Sequence, residues 1–166
     1  MMLSEELYPQ RVFYYFEQIA AIPHGSRNTK AISDYLVDFA KEHNLVWYQD
    51  ENNNVVIVKE ASAGYEAAEP IIIQGHMDMV CEKEKGVDID FEKDGLKLYI
   101  DGDFLKAEGT TLGGDDGIAV AYALALLDSQ EIAHPKLEVV ITVDEEIGML
   151  GAEAIDLSML TGHTML

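Results

Sequence analysis

The chain is short of three things. One of its 166 residues is cysteine, eleven are basic, and its longest apolar run is the ten residues IAVAYALALL at 118–127. A single thiol, Cys81, cannot close an internal disulfide, so a reducing interior is the expected setting. Eleven bases against 31 acids leave a formal net charge of -20. Such a surface repels phosphate backbones and anionic lipid headgroups, which argues against nucleic acid and membrane as partners. The ten-residue run is half of the roughly 20 that a bilayer span needs. The first residues, MMLSEELYPQRVFYYF, carry acids where a signal peptide carries bases and offer no small-residue cleavage site. A cytoplasmic location is the expectation.

What is present suffices for one domain with a real core: 48% of the residues are apolar and 25% are charged. Val12, Phe13, Phe16, Ile19 and Ala20 recur at helical spacing and predict a helix ending before Pro23. A second helix over 29–42, with Ile32, Leu36, Phe39 and Ala40 on one face, follows the turn PHGSRN, whose Ser26 or Asn28 is placed to cap it. LVWYQD (45–50) and NVVIVKE (54–60) read as a hairpin. PIIIQ (70–74) and KLEVVITV (136–143) are β-branched runs suited to a sheet covered on both faces. Between them LKLYIDGDFLKAE reads as a further hairpin, and GIAVAYALALL, apolar nearly all round, as a helix buried against the sheet. Strands alternating with helices give an α/β fold in three layers, a mixed, mostly parallel central sheet flanked by helices.

Three acidic clusters stand at the edges of these apolar segments: HMD at 76–78, DD at 115–116 and DEE at 144–146. Taken singly each has an ordinary explanation. His-x-Asp is usual in a surface loop, Asp115 or Asp116 would cap a helix, and Glu145 with Glu146 would be a solvated turn. Taken together they share one position, the strand end or helix start where α/β sheets build their sites. An imidazole and several carboxylates in one small volume need a counter-charge. No Lys or Arg lies between Lys106 and Lys136 or after Lys136, so a bound cation is the natural candidate.

Oxygen ligands alone would suit calcium or magnesium. A histidine moves the preference toward zinc or another late transition ion. The most calcium-like stretch, DIDFEKDG at 88–95, lacks the glycine and the terminal acid of an EF-hand loop. In an extended segment His76 and Asp78 point the same way, so Asp78 either ligates or holds the far nitrogen of a ligating His76. Adjacent Glu145 and Glu146 diverge: one can ligate while the other takes a proton from an activated water.

The stretches GHMDMV, EGTTLGGDDGIAVAYALALL and HPKLEVVITVDEEIGMLGAEAI resemble the co-catalytic dizinc exopeptidases. This family includes carboxypeptidase G, the aminoacylases and succinyl-diaminopimelate desuccinylase, and the likeness is greatest to its aminoacyl-histidine dipeptidase branch. It implies a zinc ligand at His76, an orienting partner at Asp78 and a carboxylate bridging two ions at Asp115. It further implies a ligand of the second zinc at Glu146, a general base at Glu145, and a cis peptide after Asp115. Asp116 varies in the family, which implies a structural role.

The resemblance implies hydrolysis of dipeptides such as Xaa-His, with two Zn2+ per site (Co2+ or Mn2+ being alternatives) and a bridging water. The same chemistry also serves N-acyl-amino-acid hydrolysis, and a homologue that binds metal without turnover is the third reading. Branch members are much longer and homodimeric, with further ligands beyond this sequence. Residues 1–166 are then the N-terminal part of the catalytic domain, without the lid or dimerisation domain and inactive alone. Cys81 is read as packing, and His24 as a turn histidine with a local hydrogen bond. His43, His134 and His163 are read as surface or loop residues.

Overall fold

The computed structural model describes residues 3–166. A 3-10 turn at Leu3–Glu6 leads into helix α1, Gln10–Ala20, which buries Val12, Tyr15, Phe16, Ile19 and Ala20. Helix α2, Lys30–Glu42, buries Ile32, Leu36, Val37, Phe39 and Ala40. Its start is not capped by a side chain, contrary to the sequence expectation. Asn28 instead donates to the carbonyls of Phe91 and Glu92, and Ser26 points to Asp78.

Strands β1 (Val46–Gln49) and β2 (Val55–Lys59) form the expected antiparallel hairpin. Strand β3 is Ile71–His76, β4 and β5 (Leu98–Asp101, Phe104–Ala107) pair in a separate hairpin, and helix α3 is Gly114–Asp128. Strand β6 (Leu137–Thr142), the short helix α4 (Leu150–Ala154) and strand β7 (Thr164–Met165) complete the chain.

The main sheet is mixed, in the order β1-β2-β6-β3-β7. β2 runs antiparallel to β6, whereas β3 runs parallel to β6 and to β7. The parallel half carries the acidic clusters. The crossover from β3 to β6 runs through α3, and register pairs His76 with Thr142, so the carboxyl ends of the two strands lie side by side. Chain segments leaving that edge meet there by construction.

Alternation along β2 and β6 divides the core. Val55, Ile57, Val139 and Ile141 pack with α1, α2 and α3 on one face, while Val56, Val58 and Val140 pack with Ile72, Ile155, Met159 and Leu160 on the other. Each fully buried aliphatic side chain contributes about 1.5–3 kcal/mol. The three long helices thus share one layer, and α4 with residues 155–160 supplies the thinner third. Helix α3 keeps Val120, Ala121, Leu124 and Leu127 inside, but Tyr122 is half-exposed, so its burial is less complete than its composition suggests.

Buried Glu138 fixes the far layer. Its carboxylate accepts from the Thr161 amide and hydroxyl and the Gly162 amide, and pairs with Lys136 at 2.9 Å. The calcium-like stretch closes on itself, with Lys93 on Asp90 at 2.6 Å and the Asp90 amide on Asp94 at 2.9 Å.

Candidate metal centre

His76 is the last residue of β3 and is buried. Its Nδ1 lies 3.0 Å from the Asp78 carbonyl oxygen and 3.5 Å from Asp78 Oδ1. With Nδ1–H donating to these acceptors, Nε2 faces outward, 3.2 Å from Asp115 Oδ1 and 3.9 Å from Glu145 Oε2. The nearer partner of the imidazole is therefore the backbone of Asp78 rather than its carboxylate, a distinction invisible in the sequence.

The Asp78 carboxylate, 1% exposed, has other work. Oδ1 accepts the Glu145 amide at 3.1 Å. Oδ2 accepts the Ser26 hydroxyl at 2.8 Å and the Glu146 amide at 3.4 Å. Burial alone would raise its pKa, but these donors and His76 hold it below the usual carboxylate range.

Asp115 and Asp116 do not cap α3. Neither has helical dihedral angles, the peptide between them is cis, and no side chain caps this helix. Asp115 projects into solvent beside His76, whereas Asp116 Oδ2 turns back to accept the His76 amide at 3.2 Å. Asp116 thus serves the backbone, in line with the structural role expected of it. Two glycines permit close approaches here. A Cβ on Gly75 would stand 2.8 Å from Asp116 Oδ2. Gly113 has a φ of 67° and lies where a Cβ would meet Met79 Sδ at 2.9 Å and His24 Nε2 at 3.4 Å.

The loop after β6 holds Glu145 and Glu146. It is tied by Asn54, fully buried, whose Oδ1 accepts the Val143 amide and whose Nδ2 donates to the Gly151 carbonyl. Asp144, at a φ of 54°, accepts the Arg27 amide at 2.6 Å. Sequence reasoning passed over Ser26, Asn54 and Asp144 in these roles. Their residue types occur in any turn, and their partners are remote in the chain.

The outcome is one cluster. His76, Asp115 and Glu146 each offer a ligand atom, and these atoms all lie within 4.8 Å of one another. One nitrogen and two carboxylate oxygens form a donor set that suits zinc and other late transition ions. Burial would lower the pKa of His76, but hydrogen bonding to Asp78 and the charges of Asp78 and Asp116 lift it to about 9. The acids draw a proton onto the imidazole, the same electrostatic demand that a divalent cation satisfies. Burial raises the pKa of Asp116, with Asp115 and Glu145 adding to it against the pull of His76.

The remaining candidates stand apart from this chemistry. His24 is buried and bonds the Ile22 carbonyl at 2.5 Å, as its place in a turn suggests. Burial and Glu82 raise the pKa of the Cys81 thiol, the wrong direction for a nucleophile. His43 stacks on Phe39, while His134 is buried rather than at the surface, held by the Pro135 carbonyl.

Residues 72–161 match the model of Peptidase family M20/M25/M40. The chain belongs to this family. Cytosol non-specific dipeptidase of Escherichia coli (strain K12) is 43% identical over 147 residues, 89% of this chain and 30% of that protein. The crystal structure of aminoacylhistidine dipeptidase from Vibrio alginolyticus superposes with a TM-score of 0.94 at 40% identity, covering 98% of this chain and 33% of that one. A tripeptidase from Staphylococcus aureus shares the fold, with a TM-score of 0.77 at 24% identity over 94% of this chain and 42% of the other. The chain therefore spans about a third of the length of the first two relatives. Among the described residues no helix is long and apolar enough to cross a membrane.

Proposed function

We propose that residues 1–166 are the N-terminal, metal-holding part of the catalytic domain of a dipeptidase. The observation that carries the reading is the convergence of His76, Asp115 and Glu146 within 4.8 Å, from three separate segments. Zinc fits this donor set, with cobalt or manganese as substitutes, and Asp115, the most exposed of the three, is free to face a second ion. A divalent ion held here supplies the Lewis acidity that makes a water nucleophilic near neutral pH.

The chain's own residues then divide the work. Glu145, at the margin of the ligand cluster, takes the proton of the attacking water and returns it to the departing amine. Asp78 keeps the His76 ring and the Glu145–Glu146 backbone in place. Two relatives, at 43% and 40% identity, are named for dipeptides, one of them for aminoacyl-histidine, and a dipeptide, Xaa-His among others, is the substrate class. The whole protein works in the cytosol and as a homodimer. The 166-residue chain by itself lacks the rest of the ligand set and hydrolyses dipeptides negligibly.

Isothermal titration with zinc tests the site. Wild type binds at least about tenfold more tightly than Asp115→Ala or His76→Ala, since losing even a group behind a ligand costs about 10- to 100-fold. Equal affinity in all three would overturn the assignment. Robust Xaa-His hydrolysis by the 166-residue chain, abolished in Glu145→Ala, would show the part to be self-sufficient.

A further inference from the structure

One short turn touches all three loops of the site. The His24 carbonyl accepts the Met79 amide at 3.1 Å, the Ser26 amide donates back to the Met79 carbonyl at 3.3 Å, and Gly25 and Met79 form a parallel bridge. His24 Nε2 abuts Gly113, two residues before Asp115. The Arg27 amide donates to Asp144, and the Ser26 hydroxyl to Asp78. Arg27 and Asp144 both have left-handed backbone, with φ of 68° and 54°, conformations that non-glycine residues seldom adopt.

We infer that Ser26 is a positioning residue of the site: through the Asp78 carboxylate, its hydroxyl fixes the backbone of Glu145 and Glu146. Four donors face the two oxygens of Asp78, and the Ser26 contact, at 2.8 Å, is the shortest. His76 is the most distant of the four, 3.5 Å from Oδ1, and its Nδ1–H has a nearer acceptor in the Asp78 carbonyl. The terminal torsion of an aspartate is broad and soft. Without the hydroxyl, Oδ2 keeps only the Glu146 amide at 3.4 Å, and Oδ1 keeps the Glu145 amide at 3.1 Å and His76 at 3.5 Å. The Arg27 amide grips the same loop one residue upstream, so Ser26 and Arg27 clamp it at adjacent points. The catalytic consequence rests on the roles proposed above for Glu145 and Glu146, while the mechanical link does not.

Amide hydrogen exchange, followed by NMR on the 166-residue chain without metal, tests the link. In Ser26→Ala the Glu145 and Glu146 amides exchange about tenfold faster or more, the effect expected for losing a hydrogen bond to a charged acceptor. Val139 and Ile141 in β6 keep their wild-type rates, and Ser26→Thr, which retains the hydroxyl, restores protection at 145 and 146. Unchanged exchange at Glu145 and Glu146, an equal acceleration throughout β6, or a threonine variant no better than alanine would overturn the inference. The readout involves neither metal nor turnover. A chain that fails to bind zinc would remove the proposed function and leave this result standing.

Discussion

The Asp78 carboxylate accepts the backbone amide of Glu145 at 3.1 Å, joining positions 67 apart in the sequence. With Ser26 and the Glu146 amide on its second oxygen, this one buried side chain ties the end of β3 to the loop after β6. Its loss has two measurable effects. Asp78→Ala leaves part-buried donors unpaired and lowers stability by about 1–3 kcal/mol, read from urea unfolding. It also weakens zinc binding about 10- to 100-fold, as losing the support behind a ligand does. A urea midpoint equal to that of wild type would mean that the loops hold without it.

Asn54 performs the same service one strand away. In Asn54→Ala the Val143 amide loses its partner in a buried position, and the Gly151 carbonyl keeps only the Ile155 amide. The expected destabilisation is about 2–3 kcal/mol. Chemical denaturation checks it, and a change below the error of the measurement would show that water reaches both groups.

Glu138 makes stability depend on acidity. Burial would raise its pKa, but Lys136, the Gly162 amide and Thr161 outweigh that and bring it down to about 2 from the usual 4.5. A depressed carboxylate contributes stability that is complete above the unfolded value. The contribution, about 2–3 kcal/mol, is lost as the pH falls through 4.5 toward 2. Urea midpoints of wild type and Glu138→Gln should differ at pH 6 and converge as the pH approaches 2.5. A gap of constant width would contradict the assignment.

Gly75 is required by Asp116. Alanine there places a methyl group 2.8 Å from Asp116 Oδ2 and 3.5 Å from the Ala119 side chain. Gly75→Ala should cost about 1–3 kcal/mol, the usual penalty for overpacking. It should also detach Asp116 from the His76 amide, visible as faster exchange of that amide. Wild-type stability would mean that the α3 start yields easily.

The elements were legible because their signals are local. Apolar spacing marks α1 and α2, and β-branched runs mark β2, β3 and β6. The composition of α3 concealed its half-exposed Tyr122, since a helix apolar all round carries no sign of which side meets the sheet. The expected caps failed for a similar reason. Ser26 and Asn28 are good capping residues, and the fold gives them remote partners instead, the Asp78 carboxylate for Ser26 and the Phe91 and Glu92 carbonyls for Asn28.

The sequence by itself determined that acids gather where apolar segments end and that no nearby base can neutralise them, because composition and period are properties of the chain alone. It marked His76 and the acids at 115–116 and 145–146 as candidates, and the resemblance to the dizinc exopeptidases singled out His76, Asp115 and Glu146 among them. Only the tertiary structure decided that these three meet, that the Asp78 carbonyl rather than its carboxylate is the closer partner of His76, and that Ser26, Asn54 and Arg27 brace the loops. The physical reason is parallel pairing: β3 and β6 in register bring residues far apart in sequence to one edge, and hydrogen bonds formed there have no local signature.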